Sequence, residues 1–520
     1  MKFVLVYLVA ALVVVNAADW NQWRGAERNG VVTDQIRLRT EFPETGPNQL
    51  WQSEPIPSND DGGHGSLVIS NNRIYMGIVW HEDIPSKKRE INDLVVRRLG
   101  FRNLSSDEGL ANKMEEARLS LNPRLRGSKL DEWADKWLEE NLTKKQQETI
   151  GSWIKSRFKK GKSAISYADL EKVSKKSGTT FDSDQAFKGW IAKENFEEFT
   201  AAQIVKAVPA SVRAAKDVVI CIDGSTGKTI WRTEAPGKPA GRKASSTPCV
   251  VNGKVYAAGS THAYCVDAFT GKSIWSSELS SKGTASSFLV TEGKAIIMAG
   301  RLLALDASTG KELWRAEKLS ASNSSPVVWD DGKKKRLIVS GRSSIACLDF
   351  RSGRILWETQ GGGESTPVVS GDWLVAYSKN SKIGLACYKL ASDGGKLVWN
   401  HALDARRAQS SPVIYKEHVY FAGGENQMCV ELVSGRIKWR EKRQSTISSP
   451  LIADGKFIVL EKKGSELVML KAEPGRYQEL AKTRVKAMWC PSPVLSNGRL
   501  YLRKGDHVAC FNLASDVVVP

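Results

Sequence analysis

The sequence predicts an all-β protein, an eight-bladed β-propeller with a helical insertion in blade one. Three observations carry this. A nine-residue motif, DASTGKELW at 306–314, returns as DGSTGKTIW at 223, DAFTGKSIW at 267, DFRSGRILW at 349 and ELVSGRIKW at 431. The tryptophans that recur with it (Trp231, Trp275, Trp314, Trp357, Trp399 and Trp439) are spaced by 44, 39, 43, 42 and 40 residues, the period of a four-stranded blade. One stretch, 81–216, breaks the period and switches from strand-like alternation to helical spacing.

The chain opens with MKFVLVYLVAALVVVNAA. Lys2 precedes an apolar run that ends in small residues, with Val15 and Ala17 at the −3 and −1 positions of a signal-peptidase site. The run is too short to span a bilayer comfortably. Residues 1–18 therefore read as an export signal, and the mature chain as periplasmic or extracellular with no transmembrane segment. Of the 520 residues, 76 are basic and 57 acidic, for a net charge of +19. That excess favours acidic partners in general, but acidic residues are interspersed with the basic ones, as on a solvated surface. Specific nucleic-acid recognition is not expected, and the chain reads as a monomer.

Residues 19–80 form the N-terminal part of the propeller. NQLWQSE (48–54), with Trp51, supplies an outer strand that the last blade lacks, and 67–79 is the first strand pair of blade one. Its third strand, DVVICIDG, begins only at 217. The intervening 81–216 carries helical signals. SKLDEWADKWLEENL (128–142) puts Leu130, Trp133, Trp137 and Leu138 on one face, and Thr143/Gln146 and Ser166/Asp169 open two further helices as capping boxes. Segments 182–196 and 200–208 continue the pattern. Lys87/Lys88/Arg89, Lys144/Lys145, Lys159/Lys160/Lys162 and Lys175/Lys176 make this insertion visibly basic.

Residues 217–520 hold the rest of the propeller. One unit shows the blade: SSTPCVV, an NG turn, KVYAAG, AYCVDA and KSIWSSE are four short strands with turn chemistry between them. Within the motif, Asp306 is placed to accept hydrogen bonds from turn N–H groups, Gly310 to take positive φ, and Trp314 to fill the wedge against the next blade. Trp51, Trp231, Trp275, Trp357, Trp399 and Trp439 take the same docking role. The opening strands follow GHGSLVIS (63–70), SSTPCVV, ASSFLVT, SNSSPVVW, ESTPVVS, QSSPVIY, ISSPLIA and CPSPVLS, which counts eight blades. Blade seven is degenerate, with Glu479 in the tryptophan slot. Six of the eight cysteines occupy one repeat-equivalent position, so they sit a repeat apart and read as small buried apolar side chains.

Function, if local, lies where the repeats differ. Residues just ahead of the opening strands should surround the channel mouth: His64, Ser245, Ala285, Asn323, Glu364, Gln409, Ile447 and Cys490 at equivalent positions, Trp489 beside the last, and Arg242 and Arg407 a little upstream. Such a ring suits a polar ligand. No catalytic constellation stands out. With six histidines and neither HExxH nor CxxC, no metal site is expected.

The repeated (A/C)-x-D-x-x-T-G-x-x-x-W resembles the tryptophan-docking motif of the PQQ-like, quinoprotein-type eight-bladed propellers. Within them the layout resembles exported propellers akin to the outer-membrane assembly factor BamB. DWNQWRGAERNG (19–30) is similar to the start of such repeat proteins in planctomycete-type bacteria. The resemblance covers 19–80 and 217–520. It implies either a PQQ-dependent dehydrogenase, in which PQQ is sandwiched by a Trp and a vicinal disulfide above Ca²⁺, or a non-enzymatic scaffold. This chain has no adjacent cysteine pair, which disfavours PQQ and Ca²⁺. The expectation is a non-catalytic scaffold without cofactor for protein or cell-envelope polysaccharide partners. The alternative is a quinoprotein-like oxidoreductase with a site at the channel mouth, and a third reading is polyanion binding through the basic insertion.

Overall fold

The computed structural model describes residues 19–58, 62–104, 108–236, 246–279, 285–321, 323–403, 409–444 and 447–515. The export signal read over 1–18 and the channel residues Arg242, Ser245 and Arg407 lie outside them. The chain divides into a unit of residues 1–82 and 214–520 and a unit of residues 83–213.

The first unit is built from four-stranded antiparallel sheets, eight among the described residues. Their opening strands, which number the sheets 1 to 8 below, are Val68–Ser70, Cys249–Val251, Leu289–Thr291, Val327–Asp330, Val368–Ser370, Val413–Tyr415, Leu451–Ala453 and Val494–Ser496. In sheet 1 the neighbouring strands Arg73–Pro85 and Ser211–Asp223 are separated in sequence by the second unit. Sheet 8 takes its fourth strand from the other end of the chain: Gln49–Gln52 pairs with Val508–Asn512, Trp51 opposite Cys510.

The repeated motif builds the outer edge of sheets 1 to 4 and 6 by local chemistry. Asp306 Oδ1 accepts from the backbone N–H groups of Ser308 (3.0 Å) and Thr309 (2.8 Å) and from both their hydroxyls. Gly310 completes the turn at φ +72°, a conformation that costs other L-residues strain. A bulge between Ala304 and Leu305 then sets Trp314 opposite Ala304. Leu313 is left 48% exposed while Trp314 is 9% exposed.

Each docking tryptophan lies on the turn of the next sheet. A Cβ on Gly310 would meet the Trp275 ring, and one on Gly271 the Trp231 ring. The indole N–H of Trp275 donates to the Ala307 carbonyl at 3.1 Å, that of Trp231 to Ala268 at 3.2 Å, and that of Trp399 to Leu432 at 2.8 Å. Trp51 repeats the contact from sheet 8 to sheet 1, donating to Gly224 at 3.1 Å. Burying one such ring contributes about 3 kcal/mol or more. Apolar clusters pair successive sheets in the same way, for example sheets 2 and 3 through Tyr256, Trp275, Phe288 and Ile297.

Sheet 7 corrects one reading. The residue opposite Met469, in the tryptophan slot, is Ala481 and not Glu479. The turn after Met469 is longer than in sheets 1 to 4 and 6, so counting along the sequence at their spacing stops two residues short. That longer turn carries Tyr477 edge-on against Trp439 of sheet 6 at 5.5 Å.

None of the eight cysteines is in a disulfide. The repeat-equivalent Cys221, Cys265, Cys347, Cys387, Cys429 and Cys510 are fully buried. Burial pushes the Cys221 thiol up to about 12 and Cys265 to about 11.

The unit 83–213 is mostly helical: Asp93–Leu99, Glu108–Leu119, Ser128–Asn141, Lys144–Gln146, Ser152–Lys160, Tyr167–Ser174, Asp184–Lys193 and Glu198–Ala207. The Thr143/Gln146 capping box is present, and Ser166 accepts from the Asp169 N–H. Asp93–Leu99, capped by Asn92, Glu108–Leu119 and a small sheet of Arg89–Ile91 with Thr179–Phe181 were not legible as helical or strand signals. Glu115 sits between two buried arginines, Arg118 and Arg157, and accepts from both. Among the described residues no helix is long and apolar enough to cross a membrane.

Candidate functional site

The candidate site is built on the eight serine and threonine residues that precede the opening strands. The backbone N–H of Ser66 donates to Thr247 Oγ1, Thr247 to Ser287 Oγ, Ser287 to Ser325 Oγ, and Ser325 to Thr366 Oγ1. Thr366 then donates to Ser411 Oγ, Ser411 to Ser449 Oγ, Ser449 to Ser492 Oγ, and Ser492 back to Ser66 Oγ. All eight distances lie between 2.8 and 3.1 Å. The circuit is closed, one bond per sheet, and every bond is buried. Each contributes about 1 kcal/mol net and leaves a buried donor unsatisfied if broken.

Residues 20–32 cross the middle of this ring. Trp20 bridges to Ile69 of sheet 1, and Val31 to Ile452 of sheet 7. Asn21 exchanges backbone and side-chain hydrogen bonds with Val250 of sheet 2. Arg28 donates to the Phe288 carbonyl of sheet 3 at 2.7 Å, and Arg24 donates to the Pro412 carbonyl of sheet 6. Trp23 Nε1 donates to Thr366 Oγ1 of the circuit at 3.2 Å. Arg24 and Arg28 adopt positive φ, +65° and +54°, a strain sustained by these buried bonds. Burial lowers the affinity of both guanidinium groups for their protons.

This hub separates two cavities. One, of about 310 Å³, is bordered by Gln22, Arg28 and the opening strands of sheets 3, 4 and 5. The other, a pit of about 240 Å³, has Trp23 and circuit hydroxyls in its wall. Around it stand His64, Asn323, Glu364, Gln409, Ile447, Trp489 and Cys490. The structure thus brings together the described residues expected at the channel mouth except Ala285, each supplied from the segment ahead of a different opening strand save the adjacent Trp489 and Cys490. Trp23, which sequence reasoning missed, belongs with them.

Within the pit, His64 and Trp489 meet edge to face, ring centroids 5.9 Å apart at 79°. Gln409 Nε2 donates to Glu364 Oε2, and Lys379 Nζ stands 3.9 Å from Glu364 Oε1. Two indoles, an imidazole, two amides and one carboxylate offer stacking surface and hydrogen bonds in both senses. Glu364 is the one acidic residue in the lining. Among the described residues no group of three or more His, Cys, Asp or Glu is arranged to hold a metal ion.

A family model for PQQ-like repeats, described as "Outer membrane protein assembly factor BamB", matches residues 200–394 and 260–479, together more than half of the chain. The chain belongs to the PQQ-like repeat family. The BamB of Salmonella typhimurium is 27% identical over 125 residues, 24% of this chain and 31% of that protein. The match thus spans about a third of that relative's length. Among solved structures, BamB from Moraxella catarrhalis aligns with 58% of this chain and 90% of its own, at 18% identity and a TM-score of 0.46. The quinohemoprotein alcohol dehydrogenase of Comamonas testosteroni aligns with 59% and 73%, at 14% and 0.45. The PQQ-like repeat match contains Asn323, Glu364 and Gln409 but stops short of Trp23, His64 and Trp489, which lie toward the two ends of the chain.

Proposed function

We propose that the chain is an exported, eight-bladed PQQ-like propeller, with residues 83–213 inserted in its first blade, that acts as a non-catalytic scaffold and holds a segment of a protein partner in the axial pit. The observation that carries this reading is the pit's construction. Its walls are the segments ahead of the opening strands, tied by the closed hydroxyl circuit, and its lining offers two indoles with amide and carboxylate hydrogen-bonding groups. This is the composition of an interface anchor site.

Family membership moves the partner toward protein, since the relatives are named as outer-membrane protein assembly factors. The residues do not fit the PQQ sandwich. The chain has no adjacent cysteines, and Glu364 alone supplies carboxylate oxygens, where Ca²⁺ takes six to eight oxygen ligands. The test is calorimetric titration of the pure protein with peptides covering strands of outer-membrane β-barrel proteins. Saturable binding with Kd near ~10 μM is expected, weakened at least about tenfold by Trp489→Ala. Absence of binding to every such peptide, or dye reduction by the pure protein with PQQ and Ca²⁺, would overturn the reading.

A further inference from the structure

The unit 83–213 contains a cleft of about 230 Å³ where three helices end together. Asp93–Leu99, Ser152–Lys160 and Glu198–Ala207 each bring a last-turn cation to it: Arg98, Lys160 and Lys206. Arg157 is a fourth, 4% exposed, its Nη2 donating to Glu115 Oε1 at 2.7 Å and to the Ile165 carbonyl at 2.8 Å. Its buried Nε has no hydrogen-bond partner among the described residues. Trp153 and Phe199 supply aromatic wall, and no Asp or Glu lines the cleft.

The neighbouring cations are treated differently. On the same helix as Lys160, Lys159 pairs with Asp131 at 2.6 Å and Lys155 with Asp135. Arg98, Lys160 and Lys206 have no ion pair with any described residue.

A helix C-terminus carries about half a negative charge and favours a cation in its last turn, so part of this cluster serves the helix ends. The magnitudes leave a surplus. Three ends supply about one and a half negative charges, while Glu115 divides one between Arg157 and Arg118. Against four cations, about two positive charges remain. That matches a phosphate monoester, which carries about −1.5 to −2 at neutral pH.

We infer that this cleft binds a phosphate monoester, its oxygens on Arg98, Lys160 and Lys206 and its organic part against Trp153 and Phe199. The site takes one small ester or one lipid headgroup rather than a length of polyanion. This inference does not depend on the scaffold reading of the pit.

The test uses the full mature chain. Glycerol 3-phosphate, inorganic phosphate and glycerol are titrated by calorimetry, with Trp153 fluorescence as a second readout. Vesicles of phosphatidylcholine with and without phosphatidic acid are tested by co-sedimentation. Saturable binding of glycerol 3-phosphate is expected, with none of glycerol. It should weaken tenfold or more in the Lys160→Gln/Lys206→Gln double variant and stay unchanged in Lys136→Gln. All three positions are exposed, so the variants should keep the wild-type melting temperature. Co-sedimentation that requires phosphatidic acid and is lost in the double variant identifies a lipid headgroup as the source, and ester binding alone identifies a free metabolite. No saturable binding of any phosphorylated probe, or binding equally weakened by Lys136→Gln, overturns the site. So does binding that survives the double substitution and falls steeply with salt, which is diffuse surface attraction.

Discussion

Two glycines in sheet 3 allow the docking contact to be separated from the turn that carries it. Gly293 and Gly310 have nearly the same backbone conformation, φ +70° and +72°. A Cβ on Gly293 meets nothing within 4 Å, whereas one on Gly310 would stand 2.5 Å from Trp275 Cε3 and 2.6 Å from Ser277 Oγ. Gly293→Ala should therefore cost only the left-handed backbone term, about 1 kcal/mol. Gly310→Ala adds the displacement of a packed indole, about 1–3 kcal/mol more. At about 2 cal/mol/K of unfolding entropy per residue, a unit of this length melts about 1 °C lower per kcal/mol lost. Calorimetry should show a fall of about 1 °C for Gly293→Ala and about 2–4 °C for Gly310→Ala. In a Trp275→Ala background the extra loss should shrink to the part that Ser277 imposes, because the two changes share the indole contact. Equal falls for both glycines, or simple additivity with Trp275→Ala, would refute the idea that the tryptophan rests on the next sheet's turn.

Three further outcomes are expected. Hydrogen bonds from the Ser308 and Thr309 hydroxyls and their N–H groups hold the Asp306 carboxyl down to about 2. Its stabilisation is present above the ordinary carboxylate value and lost as pH falls through about 2. The melting-temperature gap between wild type and Asp306→Ala should thus be constant from pH 8 to 5 and close near pH 2, and a gap independent of pH would remove the carboxylate from the account. Arg24→Met leaves the Pro412 carbonyl without its donor and should cost about 2–4 kcal/mol. It should also expose residues 20–32 to protease in limited digestion, and an unchanged digestion pattern would show that the hub is held otherwise. At pH 8 Ellman's reagent should titrate at most the half-buried Cys490 in the native protein and all eight thiols in guanidinium. Fast reaction of several native thiols would contradict their burial.

The repeated sheets were legible because each is written locally. A turn carboxylate, a glycine two or more residues on and a tryptophan after the bulge all act within a few residues of one another. The channel-mouth positions from His64 to Trp489 were legible for a related reason: they stand at a fixed distance ahead of an alternating strand. Trp23 was not, because 19–30 has no periodicity and its partner Thr366 is 343 residues away. The serines and threonines of the circuit were visible as a repeated letter pattern. Their role was not, since donation from one repeat's N–H to the next repeat's hydroxyl is a matter of how sheets are placed. Ala481 was misread as Glu479 because a longer turn shifts the slot without changing the alternation around it.

The hub also dictates an order of assembly. Arg24 and Trp23 are enclosed by bonds to residues of sheets 5 and 6, while the ring that encloses them closes only when Ser492 reaches Ser66 and Val508–Asn512 reaches Gln49–Gln52. The thirteen-residue segment 20–32, with two buried guanidinium groups, is bonded to partners from sheet 1 through sheet 7. It precedes those partners in the chain, so it must wait, poorly covered, until the last strands are delivered, and the sheets then close around it as a rim around an axle. Such closure carries high contact order and slow folding, so the interval before it is when this chain is most exposed to misassembly.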